Sequence, residues 1–391
     1  MHTTHAPRRR VSLVFFDAGG GHRAAATALA QVLAVQQPGW QVELVQLMEV
    51  LDPQGSFQRL TGHRPEDYYN QRLARGWTLG LAQELKLLQA MIRLAHPGLV
   101  RTLQQHWLRT EPDLVVSLVP NFNRALGESL ASSLPGVPFV TVMTDLADHP
   151  PAFWIEPDLP QQQLICGTQR AWQQARDAGC DAARLHRVSG MILRPDFYDA
   201  PPLDRAAARR ALGLPAEQPV GLVMFGGQGS KVMLTLARQL HDLPLILLCG
   251  RNEALASQLR ALPATAPRVV LGFTPEVQRW MRLADWFIGK PGPGSLSEAV
   301  HLGLPVVTVR NAFTMPQERY NTEWVREAGL GTVAPSFRAI RPAVQELLGD
   351  LPAYRLTVAA QHNRAVFEVP ALLARLLADA EAPFSATELA P

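Results

Sequence analysis

Four loops carry the side chains with chemistry to offer. Strand-like Val11–Phe16 runs into Asp17-Ala18-Gly19-Gly20-Gly21-His22-Arg23 and then into alanines. Three glycines between a buried strand and a helix let backbone approach a ligand closely. His22 falls at the helix N-terminus, where the positive end of the dipole keeps an imidazole neutral and able to accept a proton. The same residues also describe a tight turn whose histidine is polar filling. The second loop, Gly226-Gly227-Gln228-Gly229-Ser230-Lys231, follows another strand. It has neither Walker A nor GxGxxG spacing, which removes support for ATP hydrolysis and dinucleotide binding.

The third loop is Gly289-Lys290-Pro291-Gly292-Pro293-Gly294-Ser295-Leu296-Ser297-Glu298. Ser295 to Glu298 matches a capping box, which predicts a helix starting near Ser295. A glycine-preceded helix N-terminus beside a lysine suits a diphosphate; a capped helix without a ligand reads the same way. Glu298 has two rival roles: it caps the helix, or it accepts from ligand hydroxyls. The fourth element, Met315-Pro316-Gln317-Glu318-Arg319-Tyr320-Asn321, offers amides and a carboxylate suited to sugar hydroxyls. With a helix from Glu318, Gln317 and Asn321 share a face. A polar helix start is the alternative.

The elements that must hold these loops follow from the apolar runs. Val42–Leu47, Leu114–Val119, Phe139–Met143 and Gln163–Cys166 follow the first strand. Val220–Phe225, Leu245–Cys249, Val269–Leu271, Trp286–Ile288 and Pro305–Val309 come after a break. Short Val-, Ile- and Leu-rich runs alternating with helical stretches predict parallel sheets with both faces covered. The break lies between Pro195 and Gln218, a proline-rich linker with a short helix over Asp204–Leu212. It divides the chain into residues 1–200 and 201–391, each long enough for one doubly wound domain. At about 150 residues per domain, 391 residues also imply two or three domains.

Phe57–Arg109 does not alternate. Leu81, Leu85, Leu88, Ile92 and Ala95 lie on one helix face, and His96-Pro97-Gly98 predicts the helix's end. This segment carries Arg59, Arg64, Arg72, Arg75, Lys86, Arg93, Arg101 and Arg109 with Trp77 and Trp107, but few acidic residues. It reads as a helix with a solvated charged face or as a surface for anionic lipid. Charged residues make up 18% of the chain and hydrophobic ones 47%, which excludes a disordered polyelectrolyte. A net charge of +3 argues against a dedicated nucleic-acid binder. Cys166, Cys180 and Cys249 form no CxxC pair, so neither a disulfide scaffold nor a thiolate metal site is expected. No apolar run reaches the roughly 20 residues of a spanning helix, and the N-terminus lacks a signal-peptide pattern. The expectation is a soluble cytoplasmic protein able to touch a membrane surface. Ala380–Pro391 reads as a loose tail.

In this order, DAGGGHR (17–23), TDLADHPPAFW (144–154), GGQGS (226–230), CGRN (249–252), Gly272-Phe273, KPGPGSLSEA (290–299), Gly303-Leu304-Pro305 and QERYN (317–321) resemble a glycosyltransferase of the GT-B fold. More narrowly, they resemble the monogalactosyldiacylglycerol synthase group, related to the N-acetylglucosaminyltransferase that makes lipid II. The resemblance spans roughly residues 11 to 335. It implies two Rossmann-like domains facing each other across a cleft. The first would bind acceptor and face the membrane; the second would bind a UDP-sugar. It implies a single displacement giving a β-glycoside, with no paired carboxylates of the glycosidase kind.

The resemblance also implies roles. His22 takes the acceptor hydroxyl's proton. Gly21, Gly227, Gln228, Gly229 and Ser230 donate to diphosphate. Lys290, with the helix at Gly294 and Ser295, holds the charge of departing UDP. Phe273 and Thr274 fall in the strand-end region that reads uracil, Arg251 is among the donor-binding residues, and Glu298 binds ribose hydroxyls. Gln317, Glu318 and Asn321 contact the donor sugar. Asp145, His149 and Trp154 form an acceptor-side motif. No catalytic metal and no cofactor beyond the UDP-sugar co-substrate is implied. The expected partners are that donor, a lipid acceptor (diacylglycerol first) and an anionic membrane at the inner face of the cytoplasmic membrane; nucleic acid is not among them. The sequence departs from the synthase pattern in the loop Gly226–Lys231, which lacks the group's acidic residue and second glycine run, and at Arg319-Tyr320; this leaves galactose, glucose, glucuronate and N-acetylglucosamine open. An isoprenoid-linked or soluble acceptor, and a non-catalytic nucleotide-sugar sensor, are the rival readings.

Overall fold

The computed structural model describes residues 8–17, 20–55, 59, 81–199, 201–312 and 314–381. Its first sheet comprises β1 (Arg9–Phe15), β2 (Trp40–Gln46), β3 (Leu114–Ser117), β4 (Phe139–Val142), β5 (Gln162–Cys166) and β6 (Leu185–Arg187). They are parallel in the order β2-β1-β3-β4-β5-β6. The second comprises β7 (Gly221–Met224), β8 (Leu245–Leu248), β9 (Arg268–Leu271), β10 (Trp286–Gly289), β11 (Val306–Val309) and β12 (Gly331–Ala334). Its order is β12-β11-β10-β7-β8-β9, again all parallel. This is the expected pair of doubly wound domains. β6 and β12 are the two strands without an apolar run in the sequence. Both are edge strands, which need no continuous burial on their outer side.

Central strands are buried because helices cover both faces of each sheet. In the second domain Val223, Leu245, Leu247 and Ile288 pack with Met233, Leu236 and Val344, while Leu222, Ile246 and Phe287 pack with Leu296 and Val325. Each sheet reverses its winding once: between β1 and β3 in the first, between β7 and β10 in the second. Loops leaving the strand ends at such a point diverge and open a crevice. The loops after β1, β7 and β10 are three of the four singled out by their chemistry.

Two expectations about chain course are corrected. Residues 365–381, placed in the second domain by the 201–391 span, do not pack with its sheet. The helix Ala365–Glu381 returns to the first domain, where Ala365, Val369, Leu373 and Leu377 pack with Val11, Leu29 and Val116. Glu368 holds it there by accepting from the backbone N–H and hydroxyl of Ser189, at 2.7 and 2.8 Å. Nor does a helix end at His96-Pro97-Gly98: one 30-residue helix runs Leu81–Thr110 through Pro97. Proline removes one backbone bond there, but Leu103 and Trp107 seat the following turns in the core. Trp107 Nε1 donates to Ser129 Oγ at 2.9 Å. Gly19, Ala18, residues 60–80 with Arg64, Arg72, Arg75 and Trp77, and the tail after Glu381 lie outside the described residues.

Candidate active site

A cavity of about 1670 Å³ opens where the two crevices face each other. On the first-domain side, Gly20 adopts a left-handed φ of 78° and starts the helix Gly21–Gln36. His22 follows in its first turn. The His22 Nδ1 lies 2.9 Å from Thr144 Oγ1, just beyond β4. Burial pushes the imidazole down to about 4, and the Leu118 backbone, which favours the protonated ring, offsets only part of this. The expected neutrality is therefore present, with desolvation as its leading cause.

Asp145, next to Thr144, is buried and accepts from Trp154 Nε1 at 2.9 Å. Burial raises its carboxyl to about 7. The Trp154 bond opposes this, the Glu318 carboxylate adds to it, and Lys290 opposes it more weakly. Asp145 thus holds a proton far above the usual carboxylate range. The ring of Trp154 lies 6.0 Å from that of His22, centroid to centroid.

The second-domain side combines open backbone and the Lys290 ammonium with the side chains of Glu298, Gln317 and Glu318. Gly226 turns the chain after β7 with φ 71°, and a Cβ on Gly226, Gly227 or Gly294 would meet no atom within 4 Å. These glycines leave cavity space that a side chain would occupy. At Gly250 the reverse holds: a Cβ would come 2.2 Å from the Gly227 carbonyl, so glycine lets the loops after β7 and β8 touch. The helix after β10 spans Pro293–His301, with Gly292 as its cap and no side-chain cap bond. The capping-box expectation is therefore wrong. Pro293, pre-set for the first helical position, starts the helix two residues before Ser295. Ser295 Oγ instead bonds the Gly292 carbonyl at 3.4 Å. Glu298 is left to line the cavity, its carboxyl raised to about 7 by burial and lowered in part by Arg194.

Lys290 Nζ lies 3.5 Å from Glu318 Oε1 at the cavity wall. Gln317 and Glu318 occupy a single turn of 3₁₀ helix, Pro316–Glu318, and both line the cavity. Phe273 is 61% exposed at the rim beside Thr274, with the Arg251 guanidinium 5.1 Å from its ring centroid.

The cavity thus gathers His22, Gly21 and Asp145 from one domain with Gly227, Phe273, Thr274, Lys290, Gly294, Ser295, Glu298, Gln317 and Glu318 from the other. The remaining expected residues stand behind or beside it. The Gln228 carbonyl accepts from Asn252 Nδ2 at 3.4 Å, and Ser230 Oγ accepts from the Val232 N–H at 3.3 Å. Gly229 is wedged against the Cys249 carbonyl. Asn321 is fully buried and donates to the Pro291 carbonyl at 2.7 Å, so it fixes the Lys290 loop rather than facing the cavity. Trp154 supports Asp145 from behind. His149 is buried with burial holding its imidazole down to about 3. Arg319 is exposed and lies off the lining. Among the described residues, no group of three or more His, Cys, Asp or Glu is placed to hold a metal ion.

Sequence reasoning missed Thr144 as the partner of His22, although a hydroxyl at the end of a strand beside Asp145 was a usable signal. It also missed the apolar half of the cavity. There Leu85, Leu88, Ile92 and Leu99 of the Leu81–Thr110 helix face Met48, Leu51, Phe122 and Phe153. Gln89 ties this helix to the loops that follow β3 and β4, donating to Asn121 Oδ1 at 3.1 Å and to the Pro151 carbonyl at 2.9 Å.

Residues 222–365, which include the whole second half-site, match the glycosyltransferase family 28 C-terminal domain. The chain carries that domain. Over 368 residues it is 27% identical to monogalactosyldiacylglycerol synthase 1, chloroplastic, of Arabidopsis thaliana, covering 87% of this chain and 65% of that protein. It is 28% identical over 375 residues to the probable synthase of Glycine max, covering 90% of this chain and 68% of that protein. The chain therefore spans about two thirds of the length of these curated relatives. Among solved structures, MurG of Acinetobacter baumannii superposes with a TM-score of 0.60 at 16% identity, over 94% of this chain and 99% of that one. Os79 from O. sativa, in complex with UDP, gives 0.60 at 13% identity, over 94% and 100%. These likenesses make the fold GT-B, as the motifs imply.

Proposed function

We propose that this chain is an inverting glycosyltransferase that moves a hexose from a UDP-sugar to a lipid hydroxyl, diacylglycerol first among the candidates. The observation that carries the reading is the composition of one cavity: a neutral imidazole on one wall, a lysine and a glycine-lined helix N-terminus on the other, and an apolar recess beside them. The domain match, the synthase relatives and the UDP named for the Os79 structure support the donor.

The chemistry needs one base and one holder of charge. The acceptor oxygen attacks the anomeric carbon as the bond from that carbon to the diphosphate breaks. The acceptor proton moves to the His22 nitrogen not engaged by Thr144, and UDP leaves with the electron pair. Attack from the side opposite the leaving group inverts the centre. A pKa of about 4 makes the imidazole a weak base by itself. A bound diphosphate brings negative charge into the same cavity and raises it, so the donor switches the base on. Lys290 and the N–H groups opening the Pro293–His301 helix stabilise the charge that develops on UDP. Burial raises the Asp145 carboxyl to about 7, so below that pH it is mostly protonated, which limits repulsion of the diphosphate.

The lipid acceptor is supported by the recess under the Leu81–Thr110 helix, which has the chemistry of acyl chains. At the mouth of that recess Leu87 and Met91 are 60% and 52% exposed, and Leu94, off the lining, is 85% exposed, with Lys86 and Arg93 on the same helix. An apolar strip with flanking cations fits peripheral docking on an anionic membrane, such as the inner face of the cytoplasmic membrane. Among the described residues no helix is long and apolar enough to cross a membrane. The test is mass spectrometry of products from the purified chain, a panel of UDP-sugars and mixed micelles containing diacylglycerol. A hexosyl-diacylglycerol carries the reading and names the sugar. UDP release with a different glycosylated acceptor keeps the transferase and removes diacylglycerol. Bound UDP with no turnover on any acceptor overturns it.

A further inference from the structure

Tyr320 belongs to the second domain by sequence but to the first by packing. It lies in the first turn of the helix Arg319–Glu327, yet it is only 7% exposed. Its side chain joins a buried cluster otherwise made of first-domain residues, among them Met143, Leu146, Phe153, Trp154 and Met191. The Arg170 guanidinium lies 5.2 Å from the Tyr320 ring centroid. Arg170 is itself held by two bonds to Asp148, at 2.8 and 2.9 Å. Asp148 adopts a left-handed φ of 53° in the loop that joins Asp145 to Trp154. The ring is therefore gripped on one side by apolar packing and on another by a fixed cation.

What Tyr320 is attached to gives this contact its consequence. Gln317 and Glu318, three and two residues earlier, line the cavity. Asn321, the next residue, bonds the Pro291 carbonyl beside Lys290. A short rigid path thus runs from the first-domain pocket through Tyr320 to the groups facing the leaving side of the cavity. We propose that Tyr320 is a positioning residue that sets the spacing between Gln317, Glu318 and Lys290 on one wall and His22 on the other. Its effect on turnover rests on the transferase reading above; its effect on geometry does not. Reactions between groups held on separate bodies are sensitive to such spacing, and an error of 1 Å costs about 10²-fold in rate.

The test compares Tyr320→Phe, Tyr320→Leu and Tyr320→Ala in the full chain by three measurements. These are UDP affinity by calorimetry, kcat and KM with the best lipid acceptor, and the spin-label distance between Asp177→Cys and Arg338→Cys, both exposed and on opposite domains. Tyr320→Ala is expected to bind UDP within about threefold of the parent, because the UDP half-site is otherwise intact, while kcat falls about 10²-fold. Its label distance lengthens and broadens with UDP bound. Tyr320→Phe keeps the ring and returns both readouts to near the parent. Tyr320→Leu keeps apolar volume without a face for Arg170 and falls between; it carries the test if the alanine variant does not fold. Parent-like distances in Tyr320→Ala overturn the proposal. So does a loss of UDP affinity parallel to the loss of kcat, which marks a helix that has merely lost its fold. A parent that transfers to no acceptor defeats the transferase reading alone, and the label distances then decide the positioning role.

Discussion

The two walls of the cleft share a topology and differ in electrostatics. Each is made of loops at the point where a parallel sheet reverses its winding. On the first-domain wall burial works against charge: His22 is held near 4 and Asp145 near 7, so both are neutral between those values. The opposite wall carries Lys290, whose side chain is 38% exposed, and the open backbone around Gly227 and Gly294. One architecture thus serves two tasks. Burial holds titratable groups neutral on both walls, Glu298 on the second included; only the second adds bare backbone donors and a half-exposed cation, which the proposed reading assigns to a diphosphate.

The comparison is broken most sharply by deleting the proposed base. His22→Ala is expected to lower kcat by about 10²–10⁴-fold, with UDP affinity by calorimetry unchanged. An alanine variant with parental kcat would assign the base elsewhere. Lys290→Ala acts on the other wall and is expected to lower kcat by about 10²-fold and to weaken UDP binding as well. The contrast lies in the binding term: one variant leaves UDP affinity intact and the other does not. Equal UDP affinities in the two variants would remove the division of labour.

The difference between the walls also explains what was legible in the sequence. Glycines mark places where backbone must stay bare, and that information is local, so the loops after β1, β7 and β10 stood out. Central strands were legible for a similar reason: burial on both faces leaves an unbroken apolar run. The edge strands β6 and β12 lacked that signal. Partnerships made across the fold were not legible. Thr144 meets His22 across 122 positions of chain, and Asn321 meets Pro291 across 30. Local rules misled where tertiary packing overrode them. Pro97 did not stop its helix because Trp107 and Leu103 anchor the turns beyond it, and Pro293 took the start that Ser295 was expected to mark. At Arg319-Tyr320 the sequence showed a departure from the family pattern, but only the packing shows that Tyr320 faces the other domain.

The apolar recess extends the first wall outward, and its rim gives the next prediction. Leu94→Asp places a charge on the most exposed apolar position of that rim. It is expected to weaken sedimentation with anionic vesicles about tenfold, a loss in line with removing one leucine from an apolar phase. Turnover on a water-soluble short-chain acceptor should be unchanged, because Leu94 does not line the cavity. Equal vesicle binding by variant and parent would restrict the strip to a solvated helix face.

The smallest expected effect tests the neutral wall directly. Asp145 has a folded pKa of about 7 against an ordinary value of 3.8, so between those values the folded chain binds a proton that the unfolded chain has lost. The stability contributed by the protonated carboxyl is therefore fully present below about 3.8 and is lost as pH rises through about 7. Asp145→Asn cannot ionise, keeps an oxygen for Trp154 Nε1, and escapes that loss. Its thermal midpoint should exceed the parent's by about 2–4 °C at pH 8, corresponding to about 1 kcal/mol after relaxation, and the gap should close by pH 4. Glu298, raised in the same direction, is present in both proteins and cancels in the difference. A gap independent of pH would mean that Asp145 is charged in the fold. The first wall would then carry a negative charge facing Glu318, and Lys290 would have to neutralise both carboxylates before it could hold a diphosphate.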